Sequence, residues 1–257
     1  MNRRSVVWLL LCACASAPSV TTTSAPVVGF IATVDSIADG DSFRADVFEV
    51  RLSGVNAPEQ DECFGAESRD WLANEIEGEQ IQFEIVGVDQ FDRSIADVFH
   101  DGRFINLDLV RSGHALALSA SQPEIQEAEN DARENKQGLW GTEICGADGP
   151  LARLVITDVV YNPDGSDDQE IIVITNASAE PIELRGFQIR DESSVNRFTF
   201  SAQEIANGAS VTVTSGCSQA PDNRLTWCND GPVWNNDGDT ALLLDPFGRI
   251  VSRYRYP

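Results

Sequence analysis

A chain of 257 residues allows one large domain or two of moderate size. Lys and Arg number 18 against 41 Asp and Glu, a formal net charge of −23, and a surface of that sign repels polyanions and excludes binding through a basic patch. Lys136 is the single lysine, so any chemistry on a phosphate must be local, built on arginine and helped by a cation. The acid excess suits a salty habitat as well as it suits plain solubility.

The N-terminus reads as a targeting segment rather than as fold. Arg3 and Arg4 precede a short apolar core over residues 6–11, followed by Leu11-Cys12-Ala13-Cys14. That run resembles a lipobox, which makes 1–14 a lipoprotein-type signal peptide and Cys14 the acylated first mature residue. Cys12 is unusual at its position. The rival is plain secretion after a small residue near Ala17, with Pro18 badly placed for it. Either way the chain is expected to be exported, as a cell-surface lipoprotein or as a secreted protein, and to meet a membrane only through that anchor. Residues 15–27 are small, polar and Pro-containing, a flexible tether. No later run is long enough to span a bilayer.

Residues 28–145 form the first expected domain. Phe30, Ala32 and Val34 alternate, as do Phe43, Ala45 and Val47, and residues 48–55 continue the sheet after a turn. Residues 64–76 change period, with Ala66, Trp71, Leu72 and Ile76 on one helical face stopped by Gly78. Residues 81–88 and 95–99 read as strands separated by a polar loop, 89–93. His100-Asp101-Gly102-Arg103 is an Asp-Gly hairpin turn. A short helix over 105–110 ends at Gly113, and an acidic helix over 123–136 is closed by Gly138, with Leu139 and Trp140 capping the core. Five strands and three helices predict a small barrel with helical plugs.

Residues 146–150 are the expected linker. From 151 to 257 no helical pattern is visible, and seven short runs (154–160, 170–175, 187–190, 198–200, 210–215, 241–244 and 250–254) separated by turn signals predict a β-sandwich. The fold class is therefore mainly β. Four cysteines follow the leader, and in an exported chain they argue for two disulfides with three possible connectivities. Pairing Cys63 with Cys145 and Cys217 with Cys228 keeps each bridge inside one expected domain.

The chemistry gathers around residues 50–59, VRLSGVNAPE. Val50, Leu52 and Val55 make a strand, and Pro58 cannot donate to a ladder, so the backbone leaves the sheet just before Glu59. A rigid strand thus carries Arg51 and its exit presents Glu59. Upstream lies Ala38-Asp39-Gly40-Asp41-Ser42, and downstream Asp89-Gln90-Phe91-Asp92-Arg93. An oxygen-only site around Asp41, with no His or Cys near, suits a hard ion such as Ca2+ rather than zinc. Glu59 is placed to take a proton from water, and Arg51 and Arg93 offer permanently charged forks to phosphate oxygens. Each residue alone reads equally as a surface charge or a structural ion pair; the four in this order do not.

With the motifs ADGDSF, VRLSGVNAPE, DQFDR, INLDLVRSGHA and the closing AREN and GLW, residues 28–140 resemble the staphylococcal nuclease-like (thermonuclease) family. The resemblance implies an OB-type five-stranded barrel with three helices and a Ca2+-dependent endonuclease acting on DNA and/or RNA. By position it implies Asp41 as a metal carboxylate, Arg51 and Arg93 as the phosphate-binding catalytic arginines, and Glu59 as general base. Two positions depart from the pattern. Asn56 stands where a second metal carboxylate is expected, and Ala57 where Thr is usual; the latter ligand is a backbone carbonyl, so Ala57 preserves it. Asp39 and Asp61 lie close enough in sequence to restore the lost charge from an outer shell. Asp92 stands where Gly is common before Arg93.

Residues 151–257, through LVITDVVYNP, EIIVITNASAEPIELRGFQIRD and WNNDGDTALLLDPFGRIVS, resemble the lamin-tail domain, an immunoglobulin-like sandwich, and name no partner for it. Trp227 and Trp234 are expected to pack in its core or at an interface rather than to face a ligand, and Asp237 and Asp239 to form a polar hairpin turn rather than to bind calcium; His100 and His114 receive no role. The alternative to an exported nuclease is a catalytically weakened OB-type nucleic-acid-binding or surface scaffold protein, motivated by Asn56 and the acidic surface. The intact Arg51, Glu59 and Arg93 argue against it.

Overall fold

The computed structural model describes residues 29–141, 144–145, 149–163, 169–217, 224–229 and 231–257. The expected signal peptide, Cys14 and the tether lie outside these residues. Among them no helix is long and apolar enough to cross a membrane.

The first half is a barrel. Strands β1 (Gly29–Ile37), β2 (Ser42–Ala45) and β3 (Phe48–Leu52) form a meander, followed by a short β4 (Val55–Asn56) and helix α1 (Gly65–Ile76). Then come β5 (Gln80–Val88), β6 (Ser94–His100), β7 (Arg103–Phe104), α2 (Ile105–Arg111), β8 (Leu116–Ala117) and α3 (Pro123–Glu134). The sheet order β3-β2-β1-β5-β6-β7 closes through a parallel β3–β6 pairing. This is the OB-like five-stranded barrel that the alternating pattern predicts. Inward positions fill it: Ala32, Val34, Phe43, Ala45, Val50, Leu52, Ile81, Phe83, Ala96 and Val98 are all buried. Helix α1 adds Ser68, Leu72 and Ile76, a four-residue spacing that stacks one face on the barrel. Asn106 in α2 is fully buried and satisfied, accepting from Val98 N–H and donating to the Ser53 and Ala96 carbonyls.

The hairpin at 100–103 is as expected, with Asp101 and Gly102 both at positive φ as a tight primed turn requires. Two expectations fail: Ala66 is exposed, because the buried row of α1 runs through Ser68, Leu72 and Ile76, and Val47 does not continue the inward alternation. It sits in the β2–β3 turn and is 85% exposed, because Asp46 takes a positive φ and reverses the chain one residue early. The third helix stops at Glu134, before the left-handed Lys136.

The second half is a sandwich of short strands. One sheet orders β16-β15-β10-β9 and the other β13-β12-β17-β18, with a small β11–β14 pair. The strands are β9 (Leu154–Val160), β10 (Ile171–Asn176), β11 (Ile182–Glu183), β12 (Gln188–Arg190), β13 (Arg197–Thr199), β14 (Glu204–Ile205), β15 (Ser210–Ser215), β16 (Leu225–Trp227), β17 (Asp239–Leu244) and β18 (Ile250–Tyr256). All seven expected runs are present to within two residues; β11, β14 and β16 are additional. A 3-10 turn (Gly149–Arg153) occupies the end of the expected linker and the start of the sandwich. Trp227 and Trp234 are buried in the core, edge to face. Both expected disulfides are formed, Cys63–Cys145 and Cys217–Cys228.

The two halves share a packed boundary. Every position of β17 is buried. Ala241 and Leu243 face the sandwich core, whereas Leu242 and Leu244 join Leu116, Leu139 and Cys145 of the first half in a separate apolar cluster. Buried charges cross the same boundary, as described below.

Candidate active site

Strand register assembles the site. Ser42 pairs with Arg51 across β2–β3, so Asp41 lies beside the Arg51 side chain. The parallel β3–β6 pairing sets Arg51 against Ile95 and brings the start of β6, with Arg93, to the same end of the barrel. The Leu52 N–H bonds the Asp41 carbonyl at 2.8 Å, which fixes the Asp39–Ser42 turn to β3.

Arg51 then links Asp41 to Asn56. Its Nη1 donates to Asp41 Oδ1, and its Nη2 donates to Asn56 Oδ1 at 3.1 Å. The other oxygen of Asp41 accepts the Ala57 N–H at 2.8 Å, and Ser42 Oγ donates to Oδ1 at 2.9 Å. Arg93 Nε donates to Asp89 Oδ2 at 2.7 Å, and its Nη1 to Ser42 Oγ at 3.2 Å. Asp89 also accepts the Phe91 and Arg93 N–H groups, so the 89–93 loop is an Asx-type turn clamped on its own arginine. Burial opposes the ionised Asp89, but these bonds prevail and hold its carboxyl below the usual range. Asp92 takes φ 64°, the left-handed conformation that glycine would supply at no cost and that Asp tolerates.

Asp39, Arg51, Glu59, Asp61, Asp89 and Arg93 line one cleft of about 500 Å³. Asp41, Asn56 and Ala57 lie beneath it, each no more than 3% exposed. Burial, and then the neighbouring Asp41, push Asp39 up to about 6. Burial also raises Glu59, with Asp41 and Glu62 adding to the effect. Mutually repelling carboxyls around hard oxygen donors are chemically suited to a divalent cation. Asp41, the Asn56 amide oxygen and the Ala57 carbonyl are the residues that would hold it, with Asp39 beside them as an outer acid, its Oδ1 accepting the Asp41 N–H at 3.0 Å. Among the described residues, no group of three or more His, Cys, Asp and Glu side chains could hold a metal ion; a set with one carboxylate, an amide and a carbonyl is not of that kind.

The far wall of the cleft was not foreseen. Glu192, Ser193, Ser194, Val195, Arg197 and Asn235 of the sandwich line it. Asn56 Nδ2 donates to Ser194 Oγ at 3.3 Å, and Glu192 accepts both the N–H and the hydroxyl of Ser119. Ser42 and Glu62 were also missed. Glu62, three residues after Glu59, had a local signal in its spacing; the sandwich loop had none. His114 is not catalytic in placement: it packs between Phe64 and Trp71, where burial lowers its pKa. Asp239 is buried and accepts the Asn235, Glu192 and Thr240 N–H groups, tying the 235–240 turn together.

Residues 49–142 match the family described as staphylococcal nuclease homologue, and residues 149–257 match the lamin tail domain. The chain joins a staphylococcal nuclease-like domain to a lamin tail domain. The nuclease domain is similar to a probable staphylococcal-like nuclease of Oryza sativa subsp. japonica, 31% identical over 104 residues that make up 40% of this chain and 28% of the relative. A staphylococcal-like nuclease of Arabidopsis thaliana is 30% identical over 100 residues, 38% of this chain and 31% of its own length. An uncharacterized endonuclease of Haemophilus influenzae is 29% identical over 114 residues, 42% of this chain and 64% of its own. The chain thus spans about three-tenths of the two plant relatives, and these likenesses concern the nuclease domain.

Proposed function

We propose that the chain is an exported, calcium-dependent nuclease that hydrolyses phosphodiester bonds of DNA and/or RNA. The observation that carries this reading is the convergence of Arg51, Arg93 and Glu59 on one cleft above Asp41, with Arg51 fixed by strand register and the loops that carry Arg93 and Glu59 held by Asp89 and Glu62. Arg51 and Arg93 bind the phosphate and stabilise the negative charge that gathers on its equatorial oxygens. Glu59 accepts a proton from water as the water oxygen bonds phosphorus and the bond to the leaving sugar oxygen breaks. Bound calcium, held by Asp41, Asn56 and the Ala57 carbonyl, would supply further charge neutralisation at the phosphate.

The leader supports export, as a lipoprotein through Cys14 or by secretion. The test is hydrolysis of single- and double-stranded DNA and of RNA, with chelator and with calcium restored. Cleavage that chelator abolishes and calcium restores is the expected result. No cleavage of any substrate under any condition would favour the alternative, a nucleic-acid-binding or scaffold protein, which the buried Asn56 in place of a carboxylate motivates.

A further inference from the structure

Glu62 closes the turn that carries Glu59. Its Oε2 accepts the Glu59 N–H at 3.1 Å, and its own N–H donates back to the Glu59 carbonyl at 2.9 Å. The first turn of α1 packs directly beneath, where Gly65 is required because a Cβ would collide with the Glu59 carbonyl. The geometry of the Glu59 backbone therefore depends on where the Glu62 side chain is held.

That side chain is only 4% exposed, and a buried carboxylate needs paired cations. The cations come from the tail domain. Arg190 Nε lies 2.8 Å from Glu62 Oε1, Arg190 Nη2 donates to Oε2 at 3.1 Å, and Arg197 Nη2 lies 2.9 Å from Oε1. Arg190 ends β12 and Arg197 begins β13, and the two are directly paired across that hairpin, so one β-ribbon presents both guanidinium groups together. Their other donors are occupied within the tail domain: Arg190 Nη1 bonds the Asp191 carbonyl, Arg197 Nε the Ser194 carbonyl and Arg197 Nη1 Gln188 Oε1. A second tail hairpin braces the same turn, the Gly248 carbonyl accepting the Cys63 N–H at 3.3 Å.

We propose that the lamin tail domain is a positioning part of the nuclease site: Arg190 and Arg197, acting through Glu62, hold the backbone turn that aims Glu59 into the cleft. This rests on the reading of Glu59 as general base. Arg190 and Glu62 line no part of the cleft, and Arg197, which does reach its wall, is engaged by Glu62, Ser194 and Gln188. Besides holding the turn, the two guanidinium groups favour the ionised form of Glu59.

The test is a double-mutant cycle in the full chain at saturating calcium, with kcat and KM measured on a single-stranded oligonucleotide. Glu62→Met with Arg190→Met removes the fully buried pair together and leaves only the partly exposed Arg197 without its carboxylate. The expected result is a fall in kcat of about 10- to 100-fold with KM within about twofold, since small misplacements of a catalytic group cost rates of that order. In a Glu59→Gln background the same two substitutions should change the residual kcat by less than about twofold, because groups that act as one unit are not additive. Arg197→Gln, at a partly exposed position, serves if the double variant does not fold; it should lower kcat several-fold and also lose its effect in the Glu59→Gln background. Equal losses in both backgrounds, or no loss in kcat from folded variants, would overturn the positioning role and leave the nuclease reading standing. A wild-type rate for Glu59→Gln alone would overturn both.

Discussion

Glu129 in α3 and Arg253 in β18 lie 2.7 Å apart across the boundary between the nuclease and tail domains. Glu129 is fully buried, accepts the Ala117 N–H at 3.2 Å, and has Arg255 3.4 Å from the same carboxylate. Replacing it by Leu strands two arginines against an apolar wall. Breaking a buried pair from one side costs about 3–5 kcal/mol, and the arginines keep some water, so the lower figure applies. Urea unfolding of wild type and Glu129→Leu should show that loss in one transition for the whole chain. A loss below about 1 kcal/mol, or two separate transitions, would mean that the pair does not couple the domains.

Glu59→Gln keeps the size of the side chain and removes the carboxylate proposed as the base. Turnover should fall by about 10²- to 10⁴-fold while KM changes little. The measurement is steady-state hydrolysis with a melting curve as control, and wild-type turnover would take Glu59 out of the mechanism.

Arg51→Lys and Arg93→Lys keep the charge and lose the fork. Arg51 uses two nitrogens at once, on Asp41 and Asn56, and Arg93 does the same on Asp89 and Ser42. An ammonium cannot span either pair while also binding phosphate, so both variants should lose most activity at every calcium concentration. Full activity in both would leave the phosphate clamp untenable.

Asn56→Asp restores a carboxylate beside Asp41. Oxygen sites bind calcium more tightly as ligand charge rises, so the calcium requirement of hydrolysis should fall about tenfold, roughly 1.4 kcal/mol. The Ser194 hydroxyl, now bonded to the amide, can donate to the new carboxylate. A calcium titration of both proteins in the same salt decides it: an unchanged requirement would place position 56 outside the metal site or leave its role already filled by Asp39.

The bridges should contribute unequally. Cys63 and Cys145 are 82 residues apart and Cys217 and Cys228 only 11, so loop entropy gives about 4.5 kcal/mol for the first and about 3 for the second. Paired Cys→Ser variants compared by denaturant unfolding check this order; its reversal would show that unfolded-chain entropy is not what the bridges supply.

Local pattern made the barrel legible: alternation in β1 and β2, the Asp101-Gly102 turn, and the Pro58 exit ahead of Glu59 are all short-range signals. The site was legible for the same reason, since Asp41, Arg51 and Arg93 need only neighbouring strands in register to meet. Val47 misled because alternation cannot show where a turn begins. The tail wall of the cleft was invisible in the sequence. Ser194, Arg197 and Glu192 read there as ordinary loop residues, and they reach the cleft only through docking contacts 73 to 138 positions away along the chain.

The two-faced burial of β17 bears on how the protein can be dissected. Cut between the halves, the tail piece would bare Leu242 and Leu244 to water, and the nuclease piece would bare Leu116 and Leu139. Neither fragment is a portable module in its native sequence. A worker wishing to express either alone must first repaint that seam with polar side chains, or expect the fragments to stick to one another and to themselves.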